Sequence, residues 1–144
     1  MAITTNAICN TFKKELLEAK HNFSNPGGNT FKLSMYTNSA ALGKSTTSFT
    51  TGNEVSSSGY SSGGKALVNT GTSLATNTAI TDFSDLSFTG VTLTARGALI
   101  YNDTASGDPA VAVLDFGGDK TASAGTFTIQ FPAFTTSAAI LRIA

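Results

Sequence analysis

Apolar and polar side chains alternate through Thr30–Thr37, with Phe31, Leu33 and Met35 on one face and Lys32, Ser34 and Tyr36 on the other. A period of two residues predicts a half-buried strand. A period of four occurs once, at Ile8, Phe12 and Leu16, with Cys9 and Leu17 widening the stripe. That spacing predicts an amphipathic helix over 5–20, capped by Thr5 and ending near Lys20, where the helix dipole favours a cation. The Asn25-Pro26-Gly27-Gly28 run forbids its continuation.

The last third, 91–144, reads as core strands. Val91 and Leu93 alternate with Thr92 and Thr94, and Arg96-Gly97 then interrupts the pattern. A glycine inside a strand marks a bulge or a close backbone approach. The nearly continuous apolar runs Ala98–Tyr101 and Ala110–Phe116 predict strands covered on both faces, joined through the loop 103–109. Breaks are expected at Gly117-Gly118-Asp119-Lys120 and at Gly125; Phe127, Ile129 and Phe131 then face inward before Pro132, and a last apolar run closes the chain.

Between these blocks, 38–64 loses periodicity and becomes rich in Ser, Thr and Gly, with Leu42, Phe49, Val55 and Tyr60 as its anchors. A loop of that length predicts a functional segment or an assembly arm. A short strand is expected over Ala66–Asn69 and an ambiguous one over Leu74–Ile80, with Leu74 and Ile80 inward; a turn follows at Asp82–Asp85, then alternation at Leu86 and Phe88. Seven or eight strands with polar, Gly-punctuated loops predict a mainly β single domain over 1–144. Its expected closure is a β-sandwich or jelly-roll-like barrel with one N-terminal amphipathic helix.

Composition narrows the partners. Charged residues make up only 12% of the chain and balance to zero, which argues against a nucleic-acid backbone as ligand. Ser and Thr form roughly a quarter of the residues, and that bias supplies the polar surface. Neither a secretory signal nor a run of membrane-spanning length is apparent, so synthesis in a cytoplasm and no membrane partner are expected.

Few residues carry chemistry. Cys9 and His21 are each the only one of their kind, which removes an intrachain disulfide, a multi-Cys zinc site and most His-based triads. Cys9, on the apolar stripe, reads as core; His21 reads as a helix terminator donating to free carbonyls. Gly59–Lys65 fits G-x-x-x-x-G-K, but Ala66 stands where a phosphate loop needs a hydroxyl for Mg²⁺. Asp115-Phe116-Gly117 lacks every other part of a kinase. Asp103, Asp108, Asp115 and Asp119, in or beside the loops of one hairpin, are weak Ca²⁺ candidates set against ordinary turn aspartates. No catalytic residue and no cofactor is expected.

Four pieces carry a resemblance: AITTNAICNTFKKELLEAKHNF, FKLSMYTNSAALGKSTTSFTTGNEVSSSGYSSGG, FTGVTLTARGALIYND and AVAVLDFGGDKTASAGTFTIQFP. They resemble a family of small virion structural proteins of tailed bacteriophages. The most specific parts are Thr50–Val55 with Gly59-Tyr60 and Gly63-Gly64, and Arg96–Tyr101. The resemblance implies a particle component made in the host cytoplasm, with no catalytic residue carried over. The leading expectation is a capsid decoration (cement) protein, a homo-oligomer with a trimer favoured, clamping the major capsid protein. A tail, neck or fibre component, or a receptor- or glycan-binding module on the virion surface, stays open. Ile8, Phe12, Leu16, Phe49, Val55 and Tyr60 are the candidate contact residues.

Overall fold

The computed structural model describes residues 3–144. The chain runs β1 (Ala7–Ile8), α1 (Asn10–Leu17), β2 (Phe31–Tyr36), β3 (Lys65–Ala66), β4 (Asn69–Ala75), β5 (Thr78–Phe83), β6 (Leu86–Asn102), β7 (Ala110–Ile129) and β8 (Leu141–Ile143). The molecule is mainly β, in two antiparallel sheets ordered β1-β7-β6-β2-β3 and β4-β5-β8.

The hairpin of β6 and β7 is the axis of the larger sheet, with strands of 17 and 20 residues. The breaks expected at 117–120 and at Gly125 interrupt the pairing without ending the strand: β7 runs through both, but 116–119 and 123–124 have no partner on β6. Shifts in register against β6 absorb the irregular residues, and Gly117 and Ala124 take positive φ without ending the ladder. The interruption at Arg96-Gly97 is real, because the register slips between Ala95 and Gly97. Gly97 is also a close approach: a Cβ there would lie 2.4 Å from the Leu114 carbonyl oxygen and 2.7 Å from Ile3 Cδ1.

The helix is shorter than its apolar spacing predicts. Ala7 and Ile8 pair with Val113 and Ala112, so Ile8 belongs to a strand, and Thr5 caps nothing. Pairing along the edge of β7 satisfies backbone groups that a further helical turn would leave to solvent. At the other end, the Lys20 amide donates to the Glu15 carbonyl and the Ala19 amide to that of Leu16, with Ala19 left-handed at φ 57°. This is a Schellman cap built on alanine in place of the usual glycine.

β2 is buried on both faces rather than one, since Ser34 and Tyr36 are as inaccessible as Leu33 and Met35. One face meets an aromatic cluster that links the two sheets. Phe23 stacks on Phe31 at 4.3 Å, Phe31 lies 6.0 Å from Phe83 of β5, and Phe12 of α1 closes on Phe23 at 6.0 Å. Such pairs contribute about 0.5–1.5 kcal/mol each beyond the area they bury. Phe83 is thus core, and the turn expected at Asp82–Asp85 shrinks to Ser84-Asp85. The expected strand over Leu74–Ile80 straddles the β4–β5 hairpin turn; Ile80 is buried, but Leu74 is 71% exposed.

Candidate functional site

The segment 38–64 is laid back over the larger sheet. Phe49 stacks on Tyr101 of β6 at 4.7 Å, and its amide donates to the Asp108 carbonyl. The Tyr36 hydroxyl donates to the Thr50 carbonyl at 2.6 Å, and Ser34 donates to Tyr36 behind it. Asn53–Val55 bridges to the end of β2 on the same edge as β3, with the Thr37 amide donating to the Asn53 carbonyl and the Val55 amide to that of Met35. The outer edge of β2 is thereby closed by the chain itself.

Glu54 organises the far end of the segment, a role that its place in a polar stretch did not announce. Its carboxylate accepts from the Tyr60 hydroxyl at 2.7 Å, the Gly63 amide at 2.7 Å and the Ser62 hydroxyl at 2.8 Å. The Tyr60 hydroxyl in turn accepts the Met35 amide at 2.9 Å. Burial is the main cause that raises the Tyr60 phenol far above the usual range, and the Glu54 carboxylate adds to it. The phenol therefore stays a donor, as the pairing with Glu54 requires. Tyr101, likewise raised chiefly by burial, donates to the Gly63 carbonyl at 2.6 Å. Gly64 crosses β2 so closely that a Cβ would lie 1.8 Å from the Leu33 carbonyl oxygen, and its φ is +76°. The glycines of the G-x-x-x-x-G-K match thus serve a backbone crossing. Lys65 donates to the Ser87 carbonyl at 2.6 Å, and a strand follows where a phosphate loop needs a helix.

The six candidate contact residues divide. Phe12, Val55 and Tyr60 are at most 8% exposed and belong to the chain's own core, which corrects their assignment to an open contact surface. The apolar character that singled them out is used in closing the segment and helix onto the sheet. Ile8, Leu16 and Phe49 are partly buried against that core. The open apolar residue of the helix is Leu17, which is 90% exposed.

His21 does not terminate the helix. It is buried, with Nε2 3.0 Å from Glu15 Oε1 and Nδ1 3.1 Å from Asn102 Nδ2. Asn102 Oδ1 accepts the Thr104 and Ala105 amides, and its Nδ2 also donates to Asn29 Oδ1. Burial opposes the charge of Glu15, but hydrogen bonds from His21 and Lys20 outweigh it and hold the carboxyl below its ordinary value. Cys9 is fully buried, and burial, then the nearby Glu15, pushes its thiol up to about 11. A thiol so placed is inert.

The four aspartates proposed for Ca²⁺ do not share a site, and no cluster of three or more His, Cys, Asp or Glu residues exists among the described residues. Asp103 pairs with Lys32 at 3.3 Å and Asp115 with Arg96 at 3.4 Å. Asp108 lends its carbonyl to the Phe49 amide, and Asp119 lies within the continuous β7. Their crowding in sequence reflects a hairpin expected to turn at both ends, whereas β7 carries Asp115 and Asp119 away from the 103–109 loop.

Comparison with known proteins finds no matching family model, no similar curated protein and no similar solved structure.

Proposed function

We propose that the chain is a non-enzymatic structural subunit of a tailed-phage particle, acting as a capsid decoration protein that stabilises the head. In this reading the two antiparallel sheets form a jelly-roll-like sandwich around the Phe23–Phe31–Phe83 cluster, and copies assemble as a homotrimer against the major capsid protein. The observation that carries the reading is the coincidence between the most specific part of the phage resemblance and one structural lock. Thr50–Val55, Gly59-Tyr60 and Gly63-Gly64 are the residues that pin 38–64 flat on the sheet through Tyr36, Glu54 and Tyr101. A low-charge Ser/Thr/Gly surface held rigid in this way suits many small contacts repeated over a lattice. Glu15 and His21 in the interior are committed to structural hydrogen bonds.

Electron cryomicroscopy of purified particles, with an antibody raised to this chain, tests the proposal. Density and label spread over the head lattice are expected. Label confined to the tail would overturn the decoration role and leave the neck or tail assignment. Absence from particles would overturn both.

A further inference from the structure

A trough separates the free edges of the two sheets. β1 ends the larger sheet and β8 ends the smaller one, and neither has a strand neighbour on its outer side among the described residues. Two adjoining depressions of about 320 and 860 Å³ lie along these edges, a third of about 560 Å³ continues from them over β7, and all three share Ile140. The middle one is walled by Ala7 and Ile8 on one side and by Ala138 and Ala139 on the other. At the wide end, Leu17 of α1 faces Ile143 of β8, 90% and 63% exposed respectively. Ile143 stands opposite Ala79, and Ala79 opposite Leu74, so an apolar row crosses all three strands of the small sheet uncovered.

The charge of the trough differs from that of the chain. The whole sequence is neutral, yet the lining side chains hold Lys13, Lys120 and Arg142 against one acid, Asp115. Asp115 is already engaged by Arg96, and none of the three cations has a carboxylate partner among the described residues. Two edges without a strand neighbour, apolar walls and cations that lack a carboxylate, Arg142 being held only by the Thr136 carbonyl, define one kind of occupant.

We propose that the trough binds an extended apolar segment of a partner protein carrying acidic side chains, which adds as a strand along β8 or β1. Main-chain hydrogen bonds to the open edge supply affinity, alternate apolar side chains fill the walls, and Glu or Asp residues meet Lys13, Arg142 and Lys120. The surface is a property of this fold and does not depend on the particle assignment, which the microscopy above tests separately.

The test uses the full chain and a capped peptide of about ten residues, alternating Val and Thr and flanked by Glu, which would span about 33 Å when extended. Fluorescence anisotropy should show it binding at least about tenfold more tightly than the same peptide flanked by Lys. N-methylation of alternate peptide amides should abolish binding, and hydrogen exchange should slow at Ala7–Ile8 or Leu141–Ile143 in the complex. The doubly substituted Lys13→Glu, Arg142→Glu chain, both positions being exposed, should invert the preference between the peptides. Equal binding of all peptides, no binding, or protection elsewhere in the chain would overturn the proposal. So would a dimer that Leu17→Glu dissociates while the freed monomer ignores the peptide, because the trough would then belong to a second copy. Exchange protection and N-methylation are read on the unaltered chain, so they decide the matter even where the double variant does not fold.

Discussion

Asn102 donates from Nδ2 to Nδ1 of His21 at 3.1 Å, joining the far end of β6 to the segment that leaves the helix cap. The direction of that bond is set elsewhere. The Asn102 carbonyl oxygen is occupied by the Thr104 and Ala105 amides, so only the amide group can face the imidazole. His21 therefore accepts at Nδ1 and donates from Nε2 to Glu15. Changing Asn102 to Ala leaves the buried Nδ1 of His21 without a donor and removes the acceptor of the Thr104 and Ala105 amides, while Asn29 Oδ1 keeps the Asn22 amide. A loss of roughly 3 kcal/mol is expected in urea unfolding. A change below about 0.5 kcal/mol would show that water replaces the network at no cost.

Ala19 bears the left-handed conformation of the helix cap at φ 57°. Glycine takes that conformation freely, whereas alanine is penalised by about 1–2 kcal/mol. Ala19→Gly should raise stability by about 0.5–1 kcal/mol, after allowance for the greater entropy of glycine in the unfolded chain. Thermal melting of the pair is the measurement, and a lowered midpoint would contradict the cap.

Glu54 holds three donors at the end of 38–64, and Tyr60 links it to β2. Glu54→Ala and Tyr60→Phe should each destabilise by about 1–3 kcal/mol, and the double variant by less than their sum because they share a bond. Limited proteolysis should then cut within 38–64 while β6 and β7 stay intact. Cleavage no faster than in the unaltered chain would mean that Phe49 and Tyr36 hold the segment alone.

The acid limb of stability should carry the signature of Glu15. Its folded pKa lies below the ordinary value, because hydrogen bonds from His21 and Lys20 outweigh burial. The stabilisation is therefore present above the unfolded pKa of about 4.3 and is lost as pH falls through the lower folded value. The urea midpoint of Glu15→Gln should lie below that of the unaltered chain at neutral pH. The gap should close between about pH 5 and pH 3. Asp82 works in the opposite sense, since burial raises its pKa and its contribution falls as pH rises. It is common to both proteins and drops out of the difference. A gap independent of pH would assign the Glu15 contact to packing rather than charge.

Period-two alternation marked β2, and the Arg96-Gly97 interruption marked a register shift, because both depend on neighbours in sequence. What covers the second face of β2 was not legible, since Tyr36 reads as a polar-side residue until Thr50 accepts its hydroxyl. Ile8 kept helical spacing yet became a strand, because its partner Ala112 is far along the chain. The same distance hid the candidate contact surface: apolar content points to Phe12, Val55 and Tyr60, whereas the open large apolar positions are Leu17, Val68, Leu74, Phe134 and Ile143. The alternation around Leu74 points inward because the β4–β5 turn carries no glycine to announce it.

The β6–β7 hairpin also orders the events of synthesis. Its ladder is formed by consecutive chain, so pairing can zip outward from 103–109 without closing a long loop. Among the strands β1 pairs with β7, and β2 with β6 on one side and with β3 and the Glu54 bridge on the other. Everything made before Leu86 therefore leaves the ribosome lacking the strands that define the larger sheet, with Phe31, Leu33 and Met35 uncovered. The amino-terminal half waits on a template that is translated after it, and a chain truncated before β6 would leave β2 an exposed apolar strand without the neighbour that sets its register.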